Sequence, residues 1–384
     1  MRQALVNGRI FGAQGWLTAH AVLITDGRIT GLLPEDDAQV RAAVAAREAH
    51  DLQGALLLPG FIDLQVNGGG GVLFNDEPTV EGIRAIGAAH RRHGTTGFLP
   101  TLISDDPSVV ARAIAAVQEA IAQGVPGVMG IHIEGPYLNQ LRKGVHNPAL
   151  IRPADTDIVA LLSGLGSGTT LVTLAPEITT PEVLRQLHAR GVVLSAGHTN
   201  ATYQDIRTAL AHGLTGFTHL FNAMSQLSGR EPGVVGAALE DADSYCGIIV
   251  DGHHVDPVVL KIALRAKRHE RFMLVTDAMP CAGTDLRSFM LQGRHILVQG
   301  DYCVDESGTL AGTALTMERA VRNAVAMLGL PQADAIRMAS EYPAAFLGRA
   351  AELGRIACGC RANFVAVDAA FNVRHTWIDG ALQT

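Results

Sequence analysis

The sequence of 384 residues lacks any apolar run close to the roughly 20 residues that a membrane-spanning helix needs. It also lacks a surplus of basic residues, because the formal net charge is −7 and the charges are spread along the chain. The first residues, MRQALVNGRIF, have the pattern of a strand and lack the apolar segment of a signal peptide. These absences argue against a membrane or nucleic-acid partner.

Cysteine is scarce, scattered and odd in number: Cys246, Cys281, Cys303, Cys358 and Cys360. Such usage favours reduced thiols, and we therefore expect a cytoplasmic protein. Apolar residues, in contrast, make up 48% of the chain, which is enough to bury a large core. Length and composition together predict one large domain and one small domain.

The two ends of the chain are rich in strand patterns. "ALVNGRIF" and "AVLITDGRITGLL" place Asn7-Gly8 and Asp26-Gly27 inside apolar, β-branched runs, and these dipeptides favour tight hairpin turns. The C-terminal "RANFVAVDAAFNVRHTWIDG" repeats the pattern and ends at Asp379-Gly380. We therefore predict a small β-sandwich domain assembled from residues 1–57 and 354–384.

The middle of the chain alternates short apolar runs with helical patterns such as "SVVARAIAAVQEAIAQG". Eight runs recur: "LLLPGFIDLQVNG", "TTGFLPTLIS", "GVMGIHIEGP", "TLVTLAPE", "GVVLSAGHT", "TGFTHLFNA", "YCGIIVDGHH" and "RFMLVTDAM". This alternation predicts an α/β fold with a closed (β/α)8 TIM-type barrel over residues 58–353. An open doubly wound sheet is the alternative, but "NGGGG" lacks the G-x-G-x-x-G spacing of its phosphate turn.

Nearly every predicted strand ends in polar residues that can take part in chemistry. They are Asp63, Gln65, Asn67, Glu134, Glu177, His198, His219, Asn222, Asp251, His253, His254 and Asp277. Catalytic groups of such barrels lie at the C-terminal ends of the strands and converge on one mouth, so the pattern predicts an active-site rim. Histidines on predicted helices are interpreted as surface residues: His90, His93, His188, His212 and His269.

Three of the strand-end residues, Glu134, His198 and His219, suit a catalytic metal site, since zinc commonly takes three ligands from His and carboxylate side chains. Taken singly, a strand histidine is more often a hydrogen-bonded core residue, and Glu134 could cap a turn. Their equivalent positions on separate strands, with Asp277 on a fourth, favour the metal. His132 lies two residues before Glu134 and one layer deeper, and we interpret it as core packing.

Gln65 and Asn67 share one face of the first barrel strand, but neutral amides are poor zinc ligands compared with imidazole. A two-metal site would also need a further carboxylate or a carboxylated lysine, and none of the three lysines, Lys143, Lys261 and Lys267, ends a predicted strand. We therefore expect one divalent ion. Zinc suits the ligands, while iron, manganese and cobalt stay open. Gln65 and Asn67 would then bond to water or substrate.

Several motifs span the chain: "PGFIDLQVNGGGGVLFND", "HGTTGFLPTLIS", "GIHIEGPYLN", "KGVHNP", "SAGHTNATY", "THLFNAMSQLSGREPG", "CGIIVDGHHVD", "VTDAM" and "LAGTALTM". They resemble the amidohydrolase superfamily and, within it, the single-metal deacetylases of N-acetylated amino-sugar phosphates. Gln65 and Asn67 stand where most of that superfamily has His-x-His, as the remnant of a second metal site. The resemblance implies hydrolysis of N-acetylglucosamine-6-phosphate to glucosamine-6-phosphate and acetate. N-acetylgalactosamine-6-phosphate or an N-acyl amino acid is the alternative substrate.

The resemblance also implies roles for individual residues. Glu134, His198 and His219 resemble the metal ligands. Asp277 resembles the catalytic acid–base, and His146 of "KGVHNP" resembles the group near the scissile carbonyl. Substrate contacts are implied for Val145, His146, Asn222, Ala223, Arg230, Asp251, His254, Leu310, Ala311 and Gly312. Members of the family are commonly homodimers, and the resemblance assigns Arg230 to the phosphate, either in its own site or in the neighbouring subunit's site.

In the implied mechanism a divalent ion lowers the pKa of its bound water from about 15.7 toward about 7. Asp277 accepts the water proton and then delivers it to the leaving nitrogen, while His146 stabilises the oxyanion. Two other functions are weighed against this one. A catalytically silent sensor of amino-sugar phosphate would have no need for Asp277. A lyase or aldolase barrel would need a Schiff-base lysine at a strand end.

Overall fold

A computed structural model describes residues 2–154 and 156–383, and in it the N-terminal segment forms short strands and a helix. They are β1 (Arg2–Val6), β2 (Arg9–Gly12), β3 (Gly15–Leu17), β4 (His20–Thr25), β5 (Arg28–Pro34), α1 (Ala38–Ala45), β6 (Ala49–Asp51) and β7 (Leu56–Pro59). One sheet has the order β5-β4-β1-β6. The strands β7, β2 and β3 form one half of a second sheet.

The turns of this segment confirm one hairpin prediction and correct another. Asp26 and Gly27 both have positive φ (49° and 76°) in the turn that joins β4 to β5, as a tight hairpin requires. The hairpin predicted at Asn7-Gly8 is wrong, because β1 pairs with β4 and β6 whereas β2 pairs with β3 and β7. The chain crosses there between the two sheets, which places Leu5 and Ile10 in one shared core.

The middle of the chain forms the predicted barrel. Its strands, with a small hairpin of β9 and β10, are β8 (Phe61–Val66), β9 (Gly68–Gly69), β10 (Val72–Leu73), β11 (Thr95–Ile103), β12 (Gly130–Glu134), β13 (Thr169–Leu174), β14 (Val193–Ala196), β15 (Leu214–Phe217), β16 (Tyr245–Ile248) and β17 (Phe272–Leu274). The first predicted run is divided between two sheets at Gly60. A Cβ at Gly60 would lie 2.1 Å from the Thr96 hydroxyl, so only glycine fits between the two layers.

The barrel strands run parallel in the order β17-β16-β15-β14-β13-β12-β11-β8, so the first and last strands face each other across a seam. A bridge between Val66 and Ala278 pairs the backbones across this seam, and beyond it the Gly68 N–H donates to the Ala278 carbonyl oxygen (2.9 Å). Side chains add further contacts. The buried Asp63 carboxylate accepts hydrogen bonds from the Thr276 hydroxyl (2.5 Å) and the Thr276 backbone N–H (3.3 Å).

The connecting helices cover the outside of the barrel. They are α2 (Val80–Arg91), α3 (Pro107–Ala122), α4 (Ile158–Leu162), α5 (Pro181–Ala189), α6 (Tyr203–Leu210), α7 (Gly233–Glu240) and α8 (Pro257–Ala266), with 3₁₀ turns at Gln140–Arg142, Pro176–Ile178 and His269–Arg271. Local sequence fixes where several of them begin. Pro107 and Pro181 occupy first-turn positions, and Thr202 and Asp205 form a reciprocal capping box at α6.

An antiparallel sheet follows the last barrel strand and was not predicted. It contains β18 (Ser288–Leu291), β19 (Arg294–Gln299), β20 (Tyr302–Asp305) and β21 (Leu310–Thr313), and the chain then forms α9 (Met317–Leu328), α10 (Gln332–Met338) and α11 (Glu341–Phe346). We call β18–β21 the inserted sheet. Its buried residues Leu291 and Ile296 share a small core with Ile103, Val145 and Met279, which lie at the barrel mouth.

The C-terminal strands β22 (Phe364–Val367), β23 (Val373–Ile378) and β24 (Ala381–Gln383) complete the second sheet, in the order β24-β23-β22-β7-β2-β3. Phe364 and Trp377 of this sheet pack against Leu5, Val22 and Ile24 of the first sheet. The small sandwich built from both termini is therefore confirmed. The domain boundaries themselves, 1–57 with 354–384 and 58–353, stay a prediction.

The interpretation of His90 as a surface residue is wrong. His90 on α2 is 1% exposed, and its Nε2 lies 2.9 Å from the Gly68 carbonyl oxygen. A Cβ at Gly69 would lie 2.7 Å from this ring, so the glycines of "NGGGG" allow the helix to approach. His132 is buried between Thr101 and Thr173, as predicted. None of the helices in the described ranges is long and apolar enough to cross a membrane.

Candidate metal centre and active site

The polar residues at the ends of the barrel strands reach the mouth by a sharp change of backbone direction. Glu134 is the last residue of β12, whereas His198, His219 and Asp277 come two or three residues after the ends of β14, β15 and β17. These three residues have φ values of 49°, 33° and 52°, in the left-handed region that non-glycine residues rarely occupy. Strained backbone of this kind is concentrated at functional sites, because the surrounding structure must hold it in place.

Glu134, His198 and His219 form a compact cluster of metal-binding atoms. Glu134 Oε1 lies 3.0 Å from His219 Nε2 and 3.2 Å from His198 Nε2, and the two imidazole nitrogens lie 3.1 Å apart. All three side chains are buried. In the described part of the chain, these three residues form the group of His, Cys, Asp or Glu side chains whose ligand atoms lie close enough together to bind one ion.

The hydrogen bonds around the cluster suit a cation. His198 Nδ1 lies 2.9 Å from the Arg142 carbonyl oxygen, which can only accept, so Nδ1 carries the proton and Nε2 presents its lone pair to the cluster. Burial alone would raise the pKa of Glu134, but the adjoining His198 and His219 side chains hold it well below its usual value. Two imidazole nitrogens and a carboxylate that meet at one point match the ligands of a catalytic zinc site.

Asp277 lies beside the cluster and is held by two amides. Its Oδ1 accepts hydrogen bonds from Asn67 Nδ2 (2.7 Å) and Gln65 Nε2 (3.1 Å), and Gln65 Nε2 also lies 3.1 Å from Glu134 Oε2. The sequence predicts that these two amides bond to water or substrate. In the structure they also bond directly to the two carboxylates. Burial and the nearby charge of Glu134 raise the pKa of Asp277 to about 6. Asp277 can therefore take and release a proton near neutral pH.

His146 faces the same cluster, with its ring 4.4 Å from that of His198. Its Nδ1 lies 2.7 Å from the Ser104 hydroxyl. Burial, and to a smaller extent the neighbouring His198, lowers the pKa of His146 well below its ordinary value. A neutral imidazole at this place can donate one hydrogen bond to an oxygen in the mouth.

Across the mouth, His254 is oriented by Asp251. The Asp251 carboxylate accepts from the backbone N–H groups of His253 and His254, each at 2.8 Å, and its Oδ2 lies 2.6 Å from His254 Nδ1. Burial would raise the pKa of Asp251, but its bonds with His254 lower it overall. Asp251 therefore acts on the cavity through His254, whose other nitrogen points away from the carboxylate.

These groups surround a cavity of about 320 Å³ at the mouth of the barrel. Its wall includes ten residues singled out from the sequence: Asn67, Glu134, Val145, His146, His198, His219, Asn222, Ala223, His254 and Asp277. Leu310 and Gly312 of the inserted sheet line it as well. The wall also contains residues that the sequence did not point to: Ile103, Leu141, Arg142, Gly144, Met279 and Thr309.

Two protein-family models match this chain and together cover residues 3–382. Residues 56–382 match the model of the amidohydrolase family, and residues 3–57 match that of the NagA composite domain. The chain belongs to the amidohydrolase family. The sequence resemblance is thereby confirmed, and so is the barrel fold typical of this family.

Individual relatives of this amidohydrolase cover nearly the whole chain. An N-acetylgalactosamine-6-phosphate deacetylase of Shewanella sp. (strain ANA-3) is 44% identical over 370 residues, 96% of this chain and 93% of the relative. An N-acetylglucosamine-6-phosphate deacetylase of Haemophilus influenzae is 37% identical over 99% of each chain. The crystal structure of N-acetylglucosamine-6-phosphate deacetylase from Pasteurella multocida superposes with a TM-score of 0.95 at 37% identity, covering 100% of both chains.

A few of the residues singled out from the sequence lie away from the cavity wall of the amidohydrolase. Ala311 of β21 is fully buried, Asp251 lies behind His254, and Gln65 lies behind Glu134. Arg230 lies on an exposed loop, residues 226–232. The residues missed by sequence reasoning come mostly from loops, and the turn at Gln292-Gly293 is a weaker hairpin signal than Asn-Gly or Asp-Gly.

Proposed function

We propose that this amidohydrolase hydrolyses the N-acetyl amide of N-acetylglucosamine-6-phosphate, which yields glucosamine-6-phosphate and acetate. The observation that carries the proposal is that an acid–base group and a cluster of metal-binding side chains lie next to each other in one cavity. Asp277, an acid–base group with a pKa of about 6, is held by Asn67 and Gln65 next to the cluster of Glu134, His198 and His219. The relatives named as amino-sugar phosphate deacetylases support the substrate.

The side chains of the cavity have distinct tasks in this reaction. Because both amides bond to Oδ1 of Asp277, we assign proton transfer to Oδ2, which takes a proton from water and gives it to the leaving amine. His146 donates to the acetyl oxygen as negative charge develops there. His254, oriented by Asp251, contacts the sugar phosphate across the mouth.

We propose one divalent ion per subunit, held by Glu134, His198 and His219. When bound there, such an ion would supply a lowered pKa of coordinated water and Lewis acidity toward a carbonyl group. Zinc suits a site of two imidazoles and one carboxylate, and iron, manganese or cobalt is accepted by the same ligands. Gln65 and Asn67 occupy the remnant of a second site, where their amide groups bond to Glu134 and Asp277.

The phosphate contact is proposed to come from Arg230 in a homodimer. Arg230 and Leu227 lie on an exposed loop outside the cavity of their own subunit, and the Leu227 side chain is 58% exposed. A guanidinium offers the forked, permanently charged geometry that phosphate recognition favours. A second copy of the chain would cover the loop and receive Arg230 into its own mouth. The compartment proposed is the cytoplasm, since the five cysteines are free thiols.

A second candidate is the same reaction on N-acetylgalactosamine-6-phosphate. It is favoured by the 44% identity to the deacetylase of Shewanella sp. (strain ANA-3), which is named for that epimer. The two substrates differ only in the orientation of one hydroxyl, so the same ligands and the same acid–base serve both. Only the shape of the cavity wall separates them.

The experiment that tests the proposal is an acetate-release assay on the two epimers and on unphosphorylated N-acetylglucosamine, paired with elemental analysis of the purified protein. We expect about one metal ion per subunit and the highest kcat/KM on N-acetylglucosamine-6-phosphate. A preference for the galacto epimer would select the second candidate. Absence of acetate release from all three compounds by metal-loaded protein would refute both.

A further inference from the structure

Although His146 lies in a loop, hydrogen bonds with Ser104 fix the orientation of its ring. Ser104, the residue after β11, contacts His146 Nδ1 twice, through its hydroxyl (2.7 Å) and through its backbone N–H (3.3 Å). A backbone N–H can only donate, so Nδ1 must be the acceptor and carry no proton. The proton of the neutral ring is then on Nε2, on the side of the ring away from Ser104.

A residue of the inserted sheet bonds to Ser104 and to the residue that follows His146. Gln292 Nε2 donates to the Ser104 carbonyl (2.6 Å), and Gln292 Oε1 accepts from the Asn147 backbone N–H (3.1 Å). Asn147 is the residue that follows His146. One amide side chain therefore connects the end of β11 to the loop that carries His146.

The position of Gln292 is costly in conformational terms. Gln292 and Gly293 form the two-residue turn between β18 and β19, with φ values of 48° and 82°. Asn, Asp and Gly are preferred at the first position of such a turn, whereas Gln is not. Strain of this kind is maintained where the side chain has a task, and here the side chain reaches from the hairpin to the loop of His146.

We infer that Ser104 and Gln292 are positioning residues, which hold His146 as the Nε2–H tautomer facing the reactive carbonyl. The inference rests on the proposed function for its kinetic consequence. An Nε2–H group stabilises negative charge on the acetyl oxygen. The other tautomer would place a nitrogen lone pair against the same oxygen. The inserted sheet thereby takes part in catalysis without touching the substrate.

The tautomer can be observed directly in zinc-loaded protein labelled with ¹⁵N-histidine. The His146 signals are assigned by their loss in His146→Gln. We expect the pattern of a protonated Nε2 and an unprotonated Nδ1 in the wild type. Ser104→Ala loses the 2.7 Å hydroxyl contact and keeps the longer backbone N–H contact (3.3 Å), so we expect the other tautomer to become populated as well. The control is Ser340→Ala. It also removes the hydroxyl of a fully buried serine, but this hydroxyl donates to the backbone carbonyl of Ile336. A wild-type ring protonated on Nδ1 overturns the inference.

Kinetics test the positioning role separately. Ser104→Ala and Gln292→Ala should each lower kcat about 10- to 100-fold, as removal of partners that orient an active-site histidine commonly does, with KM and metal content nearly unchanged. Gln299→Ala changes a glutamine of the same sheet whose contact is Tyr302, and it should leave kcat within twofold.

A double-mutant cycle separates positioning from general stability. In a His146→Ala background, Ser104→Ala and Gln292→Ala should change kcat less than twofold, because the ring on which they act is gone. Equal losses in both backgrounds would show a merely structural role and overturn the inference. The ¹⁵N measurement needs no turnover, so a wrong substrate assignment would leave the tautomer result intact and is distinguished from failure of the positioning role.

Discussion

At the scale of single residues, the active-site chemistry depends on carboxylates in unequal environments. Glu134 is kept charged by two histidines, whereas Asp277, a few ångströms away, has its pKa raised to about 6 by burial and by Glu134. One carboxylate therefore suits a metal and the other suits proton transfer. Environments that push two pKa values apart in this way commonly mark the division between ligand and acid–base.

Asp277→Asn should retain the metal and lose nearly all turnover. The amide side chain cannot accept a water proton, and loss of general acid–base catalysis commonly costs about 10²–10⁴-fold in rate. The measurement is kcat for acetate release alongside metal content. A variant with activity close to that of the wild type would remove Asp277 from the mechanism.

His198→Ala should abolish stoichiometric metal binding, because two of the three ligand atoms cannot hold an ion as three do. Metal content after dialysis, measured by elemental analysis, checks this expectation. The matched control is His188→Ala on the exposed face of α5, which should keep a full complement of metal. A His198→Ala protein that still holds one ion per subunit would contradict the assigned ligands.

At the scale of elements, the seam between β8 and β17 contains an aspartate whose protonation makes the free energy of unfolding depend on pH. Burial raises the pKa of Asp63 to about 7, although its hydrogen bonds with Thr276 and Gln65 act in the opposite direction. In the unfolded chain an aspartate titrates near 3.9. The native protein thus binds this proton more tightly than the unfolded chain, so the free energy of unfolding falls as pH rises from about 4 to about 7.

Asp63→Asn removes this titration and keeps an oxygen acceptor for Thr276. We expect the unfolding free energy of the variant, relative to the wild type, to increase by roughly 1–3 kcal/mol between pH 5 and pH 8. Urea unfolding at the two pH values measures it. Asp243→Asn, at a side chain that is 89% exposed, serves as control. Parallel pH dependence of wild type and Asp63→Asn would contradict the raised pKa.

Prediction from sequence succeeded for elements whose pattern is local. The eight barrel strands are short apolar runs between amphipathic helices, and their polar ends fixed the candidates Glu134, His198 and His219. The hairpin at Asn7-Gly8 failed because strand partners depend on distant residues such as Ala49 and Leu56, which no turn dipeptide encodes. The inserted sheet was missed because β19 is largely exposed and therefore has a weak apolar pattern.

The residues of the candidate site also divide into those that a local sequence pattern predicts and those that depend on distant contacts. Strand-end residues could be predicted because a barrel brings all strand ends to one mouth, irrespective of the loops. Ser104 and Gln292 could not, since their importance depends on contacts between segments 188 residues apart. His90 was misassigned because a helix position alone does not reveal that Gly68 and Gly69 let another element approach it.

At the scale of the whole molecule, the proposed exchange of Arg230 between subunits predicts complementation between two variants of low activity. In mixed dimers of Arg230→Ala and Asp277→Asn, the Arg230→Ala subunit would keep Asp277 and receive Arg230 from its partner. After subunit exchange at equal amounts, half of the dimers are mixed and each has one intact site, so activity should recover to about a quarter of the wild-type value.

The measurement is acetate release at low phosphorylated substrate, before and after exchange. Each variant treated alone provides the control and should stay at its own low rate. If Arg230 serves the site of its own subunit, or if the protein is a monomer, the mixture shows only the average of the two variants. Either result contradicts the proposed exchange of Arg230 across the dimer.

The seam has a consequence for how this enzyme would fail on heating. β17 is three residues long, and the segment that follows it, around Asp277, is joined to β8 by the Val66–Ala278 bridge, a hydrogen bond from Gly68 to Ala278 and the Asp63–Thr276 contacts. Stability is not uniform across a fold, and weakly paired segments open before the whole chain does. Thermal inactivation should therefore begin with fraying at this junction, while the remaining strands keep their amide protons protected from exchange. Loss of activity would then report local opening several degrees before global melting.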